Sequence, residues 1–163
     1  MLAAVNFNSP GQVVIAGSAA AVARGVDAAK AAGAKRAVLL PVSVPSHCAL
    51  MQPAAERLAE RLAGVSIRTP IVPVLHNCHV QTESDPEAIR AALVRQLASP
   101  VRWVETVREM AARGANMLVE CGPGKVLAGL NKRISRDIQT LPIYDPASLD
   151  AARAALGVGL PQE

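Results

Sequence analysis

The chain has 163 residues, 51% of them hydrophobic and 18% charged, which suits one modest domain with a core and excludes a disordered chain. Only 2% of the residues are aromatic, which argues against nucleic-acid recognition by base stacking. Lysine and arginine (17) exceed aspartate and glutamate (13), which favours a polyanionic partner, namely nucleic acid, a phosphate-bearing cofactor or an acidic protein. A solvated basic surface explains the same excess.

The cysteines, Cys48, Cys78 and Cys121, are odd in number and widely spaced. This pattern predicts no disulfide framework and a reducing compartment. No apolar stretch reaches the roughly 18 residues of a membrane helix, and the N-terminus lacks the features of a signal peptide. We therefore expect a cytoplasmic protein that makes no membrane contact.

The first predicted elements are a β-hairpin and a helix. Residues 3–8 and 12–17 are short apolar runs separated by turn-forming residues, which predicts two antiparallel strands. Ser18 is the expected N-cap of a helix through about residue 30, and Gly33 is expected to end it.

A third strand is predicted next, because residues 36–42 form an apolar run typical of a buried strand. The opening unit would then be β-β-α-β. This order is that of a split β-α-β sandwich without its first strand and helix. We therefore expect the chain to begin inside a domain.

The middle of the chain alternates helices with one strand. Ser46 is the expected N-cap of a helix that ends at Gly64. Residues 71–75 are strand-like, although Pro73 favours an irregular or edge strand. Asp85 followed by proline and glutamate is a strong helix start, and this helix is expected to run to about Ala98.

The rest of the chain continues the alternation, with two strands and three helices. The expected elements are a helix from Pro100 to Gly114, a strand at 117–120, a helix at 125–136, a strand at 138–143 and a helix at 146–156. Alternating strands and helices predict an α/β protein with a largely parallel sheet.

His47 is the first candidate catalytic residue, because it follows the predicted strand 36–42 and opens a helix. Ligand sites of open α/β sheets lie at the carboxyl ends of strands, where a neutral imidazole can accept a proton from a serine or a thiol. A local hydrogen bond at a helix start is the alternative.

Gln96 is the second candidate and lies in a last helical turn, whose free carbonyls could orient an imidazole. A solvated glutamine is the alternative.

Other motifs carry less chemistry. Gly122-Pro123-Gly124-Lys125 is not a Walker A loop, although a glycine turn that opens a helix can present amides to an anion. The spacing within His76-Asn77-Cys78-His79 is too tight for a usual zinc site, so no metal is expected. None of the nine serines lies in a Gly-x-Ser-x-Gly elbow. The chain therefore shows no recognisable nucleophile.

Four blocks of sequence together resemble the C-terminal half of the malonyl-CoA:acyl-carrier-protein transacylase family of bacterial fatty-acid synthesis. They are residues 6–17, residues 35–51 with Pro41-Val42-Ser43-Val44-Pro45-Ser46-His47, residues 94–97, and Glu120 with residues 122–127. The resemblance implies part of an α/β-hydrolase-like acyltransferase, with residues 1–44 as the remnant of a ferredoxin-like subdomain and residues 45–163 as part of the large subdomain.

The resemblance also implies roles for individual residues. His47 matches the family's catalytic base, and Gln96 matches the glutamine whose main-chain carbonyl orients it. Asn6 and Asn8 match positions that contact the pantetheine arm or shape the cleft. Four bases match positions proposed to meet the acidic carrier protein or the phosphates of CoA: Lys35, Arg36, Lys132 and Arg133.

The implied reaction transfers malonyl from malonyl-CoA, through a serine ester, to the phosphopantetheine thiol of acyl carrier protein. The family's nucleophilic serine, oxyanion-hole glutamine and carboxylate-binding arginine have no counterpart here, so we expect the chain alone to transfer no malonyl. The expected partners are acyl carrier protein and malonyl-CoA, in a monomeric parent enzyme without cofactor, metal or nucleic acid. The alternatives are a piece of a polyketide-synthase acyltransferase and a non-catalytic carrier-protein-binding fragment.

Overall fold

The structure, a computed structural model, describes residues 1–158. The chain divides into two compact units, Met1–Thr106 and Val107–Glu163. Each unit is described by itself below.

The first unit opens with the predicted hairpin. Strands β1 (Leu2–Ser9) and β2 (Gln12–Gly17) pair antiparallel, and Gly11 adopts a φ of 75° in the turn between them. Helix α1 (Ala19–Ala31) follows and packs closely on the hairpin, because a Cβ at Gly25 would lie 2.9 Å from side-chain atoms of both strands. The prediction of a hairpin and a helix is confirmed.

The predicted strand at 36–42 is wrong. These residues form no regular element and pair with no strand in the described chain. Val38, Leu39 and Leu40 are each more than half exposed. The apolar run fits a strand only where a neighbour pairs with it, and residues 1–158 provide no such neighbour.

Helix α2 (Gln52–Ala63) follows a single 3₁₀ turn at Ala49–Met51 and ends at Gly64 as predicted. Its start differs from the prediction. Cys48, not Ser46, occupies the N-cap position of the 3₁₀ turn. Helix α2 packs against helix α3, described next, and this pairing places residues 45–48 beside the end of α3.

Helix α3 (Pro86–Arg95) begins as predicted, with the Asp85 side chain accepting a 2.8 Å hydrogen bond from the Ala88 N–H. A 3₁₀ turn at Gln96–Ala98 ends it. The strand predicted at 71–75 is mostly wrong. Only its last residue enters a ladder, in which β3 (Leu75–His76) pairs antiparallel with β4 (Gln81–Thr82).

Helix α4 (Trp103–Ala112) runs across the boundary between the units. The second unit then forms a β-α-β arrangement. Strands β5 (Met117–Cys121) and β6 (Gln139–Ile143) pair in parallel and are joined by helix α5 (Val126–Ile134).

Helix α6 (Pro146–Leu156) completes the second unit. Asp145 and Ser148 form a reciprocal capping box at its start. Leu130, Ile138 and Ala152 are buried in this unit, so both helices contribute apolar side chains to the core beside the strands.

The mixed α/β class is confirmed, whereas the largely parallel sheet is not. Of the three ladders in the described chain, β5–β6 is parallel and the other two are antiparallel. None of the helices that the structure describes has the length and hydrophobicity needed to cross a membrane.

Candidate functional site

The structure brings His47 and Gln96 together across 49 positions of sequence. The Nδ1 atom of His47 lies 3.1 Å from the main-chain carbonyl oxygen of Gln96. The next carbonyl, that of Leu97, accepts a 3.1 Å hydrogen bond from the backbone N–H of His47. Two consecutive carbonyls at the end of a helix therefore hold both the ring and the backbone of one histidine.

The backbone of His47 is strained, since its φ of 64° lies in the left-handed region. An L-residue pays about 1–2 kcal/mol there, so the surrounding contacts must hold this conformation. The bond to Leu97 holds its backbone. The next residue, Cys48, is buried and donates its thiol to the Pro45 carbonyl at 3.2 Å. Strain held in place by neighbours is common at functional sites.

Asn6 and Asn8 lie two positions apart on strand β1, and both are partly buried. Asn6 forms an isolated parallel bridge with Val101. Hydrogen bonds at 2.9 and 2.8 Å join Phe7 and Val5 to Val101. Because Val101 follows the 3₁₀ turn that carries Gln96, these bonds tie the predicted pantetheine-binding strand to the segment that holds His47.

The two basic pairs lie in different units. Lys35 and Arg36 are exposed in the irregular segment after α1. Lys132 and Arg133 are exposed in the last turn of α5. Within the second unit, Lys132 also lines an open groove of about 660 Å³ together with Lys125 and Arg136. A common patch made by both pairs stays a prediction.

After the glycine turn at 122–124, two amides of the following helix are already bonded within the chain and are not free to bind an external anion. The carboxylate of Glu120 accepts hydrogen bonds from the N–H of Leu127 at 2.9 Å and of Ala128 at 2.7 Å. These are among the unpaired donors of the first turn of α5. A side chain of β5 thus caps the helix, and the turn has a structural role.

The tight histidine motif lies on the β3–β4 ladder and its turn. The rings of His76 and His79 stack, with centroids 5.4 Å apart. Burial, and to a smaller extent the charge of His79, hold the pKa of His76 below its usual value. No group of three metal-ligating side chains suited to an ion occurs in the part of the chain that the structure describes.

The contact between His47 and Gln96 prepares the imidazole to act as a general base, as acyl transfer requires. A carbonyl oxygen only accepts hydrogen bonds, so Nδ1 carries the ring proton when it bonds to Gln96. The other ring nitrogen, Nε2, is then the basic atom. The sequence singled out both residues, but it gave no sign of the second contact, the Leu97 carbonyl, because a backbone acceptor carries no side-chain signature.

Comparison with known proteins gives a family match over most of the chain. Residues 2–149 match the acyl transferase domain family. The malonyl CoA-acyl carrier protein transacylase of Haemophilus influenzae is 58% identical over 156 residues, which cover 96% of this chain and 50% of that protein. The Escherichia coli K12 protein of the same name is 57% identical over 148 residues, 91% of this chain and 48% of the relative.

Solved structures give the same result. The acyl-carrier-protein S-malonyltransferase of Burkholderia pseudomallei superposes with a TM-score of 0.91 at 53% identity, covering 93% of this chain and 50% of that one. A malonyl-transacylase in complex with its type II PKS acyl-carrier protein gives 0.93 at 55% identity, covering 95% and 50%.

The chain thus spans about half the length of the curated relatives it matches. The match nevertheless extends over almost all of its own residues, and it includes His47, Gln96 and the strand that carries Asn6 and Asn8. The resemblance seen in the sequence is confirmed, and the chain belongs to the acyl transferase domain family.

Proposed function

We propose that this chain supplies the histidine of a malonyl-transfer site, in which malonyl passes from malonyl-CoA to the phosphopantetheine thiol of acyl carrier protein. The observation that carries the proposal is the 3.1 Å contact between Nδ1 of His47 and the carbonyl oxygen of Gln96. It fixes the ring in the tautomer whose Nε2 is a base. The names of the relatives supply the substrate and the acceptor.

The nucleophile is a serine outside these 163 residues. None of the nine serines forms a hydrogen bond with His47 in the structure, and none has the Gly-x-Ser-x-Gly context. In the first step, Nε2 of His47 takes the serine proton while the serine oxygen attacks the malonyl thioester. The proton then leaves with the thiolate of CoA.

The second step runs the same chemistry with a different thiol. The phosphopantetheine thiol of the carrier protein gives its proton to Nε2 and attacks the serine ester. The serine leaves as its alkoxide and takes the proton back from His47. One histidine therefore acts as base and acid in both steps.

The remaining predicted residues have binding roles in this proposal. Asn6 and Asn8 contact the pantetheine arm or shape its cleft. The exposed bases Lys35, Arg36, Lys132 and Arg133 meet the acidic carrier protein or the phosphates of CoA. Residues 1–44 belong to a ferredoxin-like subdomain and residues 45–163 to a hydrolase-like one, in a monomeric, cytoplasmic enzyme.

The test is complementation. The chain is mixed with a separately produced polypeptide that carries the serine-bearing part of the Haemophilus influenzae transacylase, and transfer from malonyl-CoA to carrier protein is followed by intact mass. We expect transfer by the mixture and none by either polypeptide alone. His47→Ala should lower the rate of the mixture by about 10²- to 10⁴-fold, since it removes the general base.

Gln96→Ala is the matched control, because it removes the side chain and keeps the main-chain carbonyl. It should lower the rate far less than His47→Ala. Equal losses in both variants would show that the carbonyl is not the orienting group. Malonyl-carrier product made by this chain alone would refute an external nucleophile. Carrier binding without transfer in the mixture would instead support a non-catalytic binding fragment.

A further inference from the structure

A second cluster of reactive side chains lies outside the His47 site, on the turn between β3 and β4. The Sγ atom of Cys78 lies 3.2 Å from Nδ1 of His79, and Nε2 of His79 lies 3.0 Å from Oε1 of Glu83. In this order an imidazole can take the thiol proton while the carboxylate stabilises the resulting cation. The malonyl transfer proposed above uses none of these groups.

Arg102 lies beside this turn, and its guanidinium is paired with the Glu105 carboxylate. Its backbone N–H donates a 2.9 Å hydrogen bond to the Asn77 carbonyl, which holds it beside the turn. Its pKa is raised above the usual value, first by its hydrogen bond to Glu105 and, among smaller contributions, by Cys78. Neighbouring cations favour the thiolate form of a cysteine.

The turn also contains two buried polar atoms, one on His76 and one on Asn77. Nε2 of His76 and Oδ1 of Asn77 are buried and have no hydrogen-bond partner among the described residues. His76 is only 7% exposed, and its ring stacks on the ring of His79. A buried unpaired polar atom costs about 1–3 kcal/mol. A small molecule that both donates and accepts hydrogen bonds would therefore suit this turn.

The other two cysteines provide a comparison. Cys48 is buried and donates its thiol to a backbone carbonyl. Cys121 is exposed on β5, and the structure shows no basic partner for its thiol in the described chain. Cys78 is 8% exposed. Exposure alone thus ranks Cys121 as the most reactive thiol, whereas the surrounding groups favour Cys78.

We propose that Cys78 is a peroxide-reactive thiol, activated by His79 and Glu83, and the chain's preferred site of oxidation to sulfenic acid. His79 takes the thiol proton, and the sulfur attacks one oxygen of hydrogen peroxide. A sulfur–oxygen bond forms as the oxygen–oxygen bond breaks. The departing hydroxide takes the proton from His79 and leaves as water, so one thiol and one peroxide give one sulfenic acid and one water.

The test uses the full reduced chain, treated with hydrogen peroxide in the presence of dimedone, with labelling at each cysteine quantified by peptide mass. We expect Cys78 to be labelled faster than Cys121 in the folded protein. In urea, which removes the cluster, the two rates should become similar. Two results together would overturn the proposal. Cys121 would be labelled faster than Cys78 in the folded protein, and the ratio of the Cys78 rate to the Cys121 rate would be no higher than in urea.

Two variants separate activation from accessibility. His79→Gln removes the proton acceptor, and Glu83→Gln removes the charge behind it while keeping a similar shape. Each should slow Cys78 labelling by about tenfold, because the variant removes or weakens the group that accepts the thiol proton. The rate at Cys121 serves as the internal reference. Variants that label Cys78 as fast as the original chain would refute the roles of both side chains.

Discussion

Strand β5 and the two irregular segments at 38–44 and 71–74 differ in outcome although their sequences are alike. All three are short apolar runs with β-branched residues, and they overlap the strands predicted at 117–120, 36–42 and 71–75. Residues 117–121 pair with β6 along their whole length. The large apolar side chains of the other two segments are exposed, by 71% at Leu39 and completely at Ile71.

The difference lies in the partner. The strand that pairs with β5 follows it in the chain after a nine-residue helix, so a local β-α-β connection closes the ladder. No strand of the described chain pairs with the other two segments. An apolar run therefore forms a strand only where a second run pairs with it.

Hydrogen exchange measures this contrast most directly and should show the largest effect. Backbone amides of β5 and β6 that donate within the ladder should exchange at least about 10³-fold more slowly than amides of residues 38–44 and 71–74. Exchange followed by NMR or by mass spectrometry of peptides checks this. Comparable protection in the three regions would show that the exposed segments are structured in solution.

The second prediction concerns the side chains under the paired strands. Leu130 is 9% exposed in helix α5, so Leu130→Ala should lower the free energy of unfolding by about 2–5 kcal/mol. Leu39→Ala is the matched control at an exposed position. It should change the free energy by less than about 0.5 kcal/mol. Urea unfolding of both variants tests the pair, and equal losses would contradict the difference in burial.

The third prediction concerns the side chain that joins β5 to its crossover helix. Glu120 accepts hydrogen bonds from two amides at the start of α5, so Glu120→Ala should cost about 1–2 kcal/mol, as other N-cap losses do. Glu120→Gln keeps one acceptor oxygen and should cost less. Thermal unfolding of the two variants checks the order. A larger loss for glutamine than for alanine would argue against capping.

Local signals in the sequence located most elements. The proline and aspartate at the start of α3, the glycines after α1 and α2, and the alternation in β1 and β2 act through neighbouring residues, so one sequence reveals them. The strands predicted at 36–42 and 71–75 failed because pairing depends on distant residues. The sequence of one strand does not show which other strand, if any, pairs with it.

The same distinction holds at the two sites. Gln96 was singled out by its place at a helix end, and His47 by its place after the strand predicted at 36–42, which the structure lacks; the sequence blocks around both residues supplied the rest. The bond from the His47 backbone to Leu97, and its positive φ, came only from the structure. The spacing of the motif at 76–79 predicts no usual zinc site, but it did not reveal that the Glu83 carboxylate contacts His79.

The smallest expected effect lies at helix α6, next to β6, and it depends on pH. Hydrogen bonds from the side chain of Ser148 and then from its backbone N–H hold the pKa of Asp145 below its ordinary value of 3.8. A lowered carboxyl pKa adds stability that is present above pH 3.8 and is lost as the pH falls through the lower pKa of the folded state. Ser148→Ala should move the pKa of Asp145 back toward 3.8, which an NMR titration of its carboxyl carbon measures. If that pKa stays the same in the variant, Ser148 is not the cause of the shift, and the capping box contributes through geometry alone.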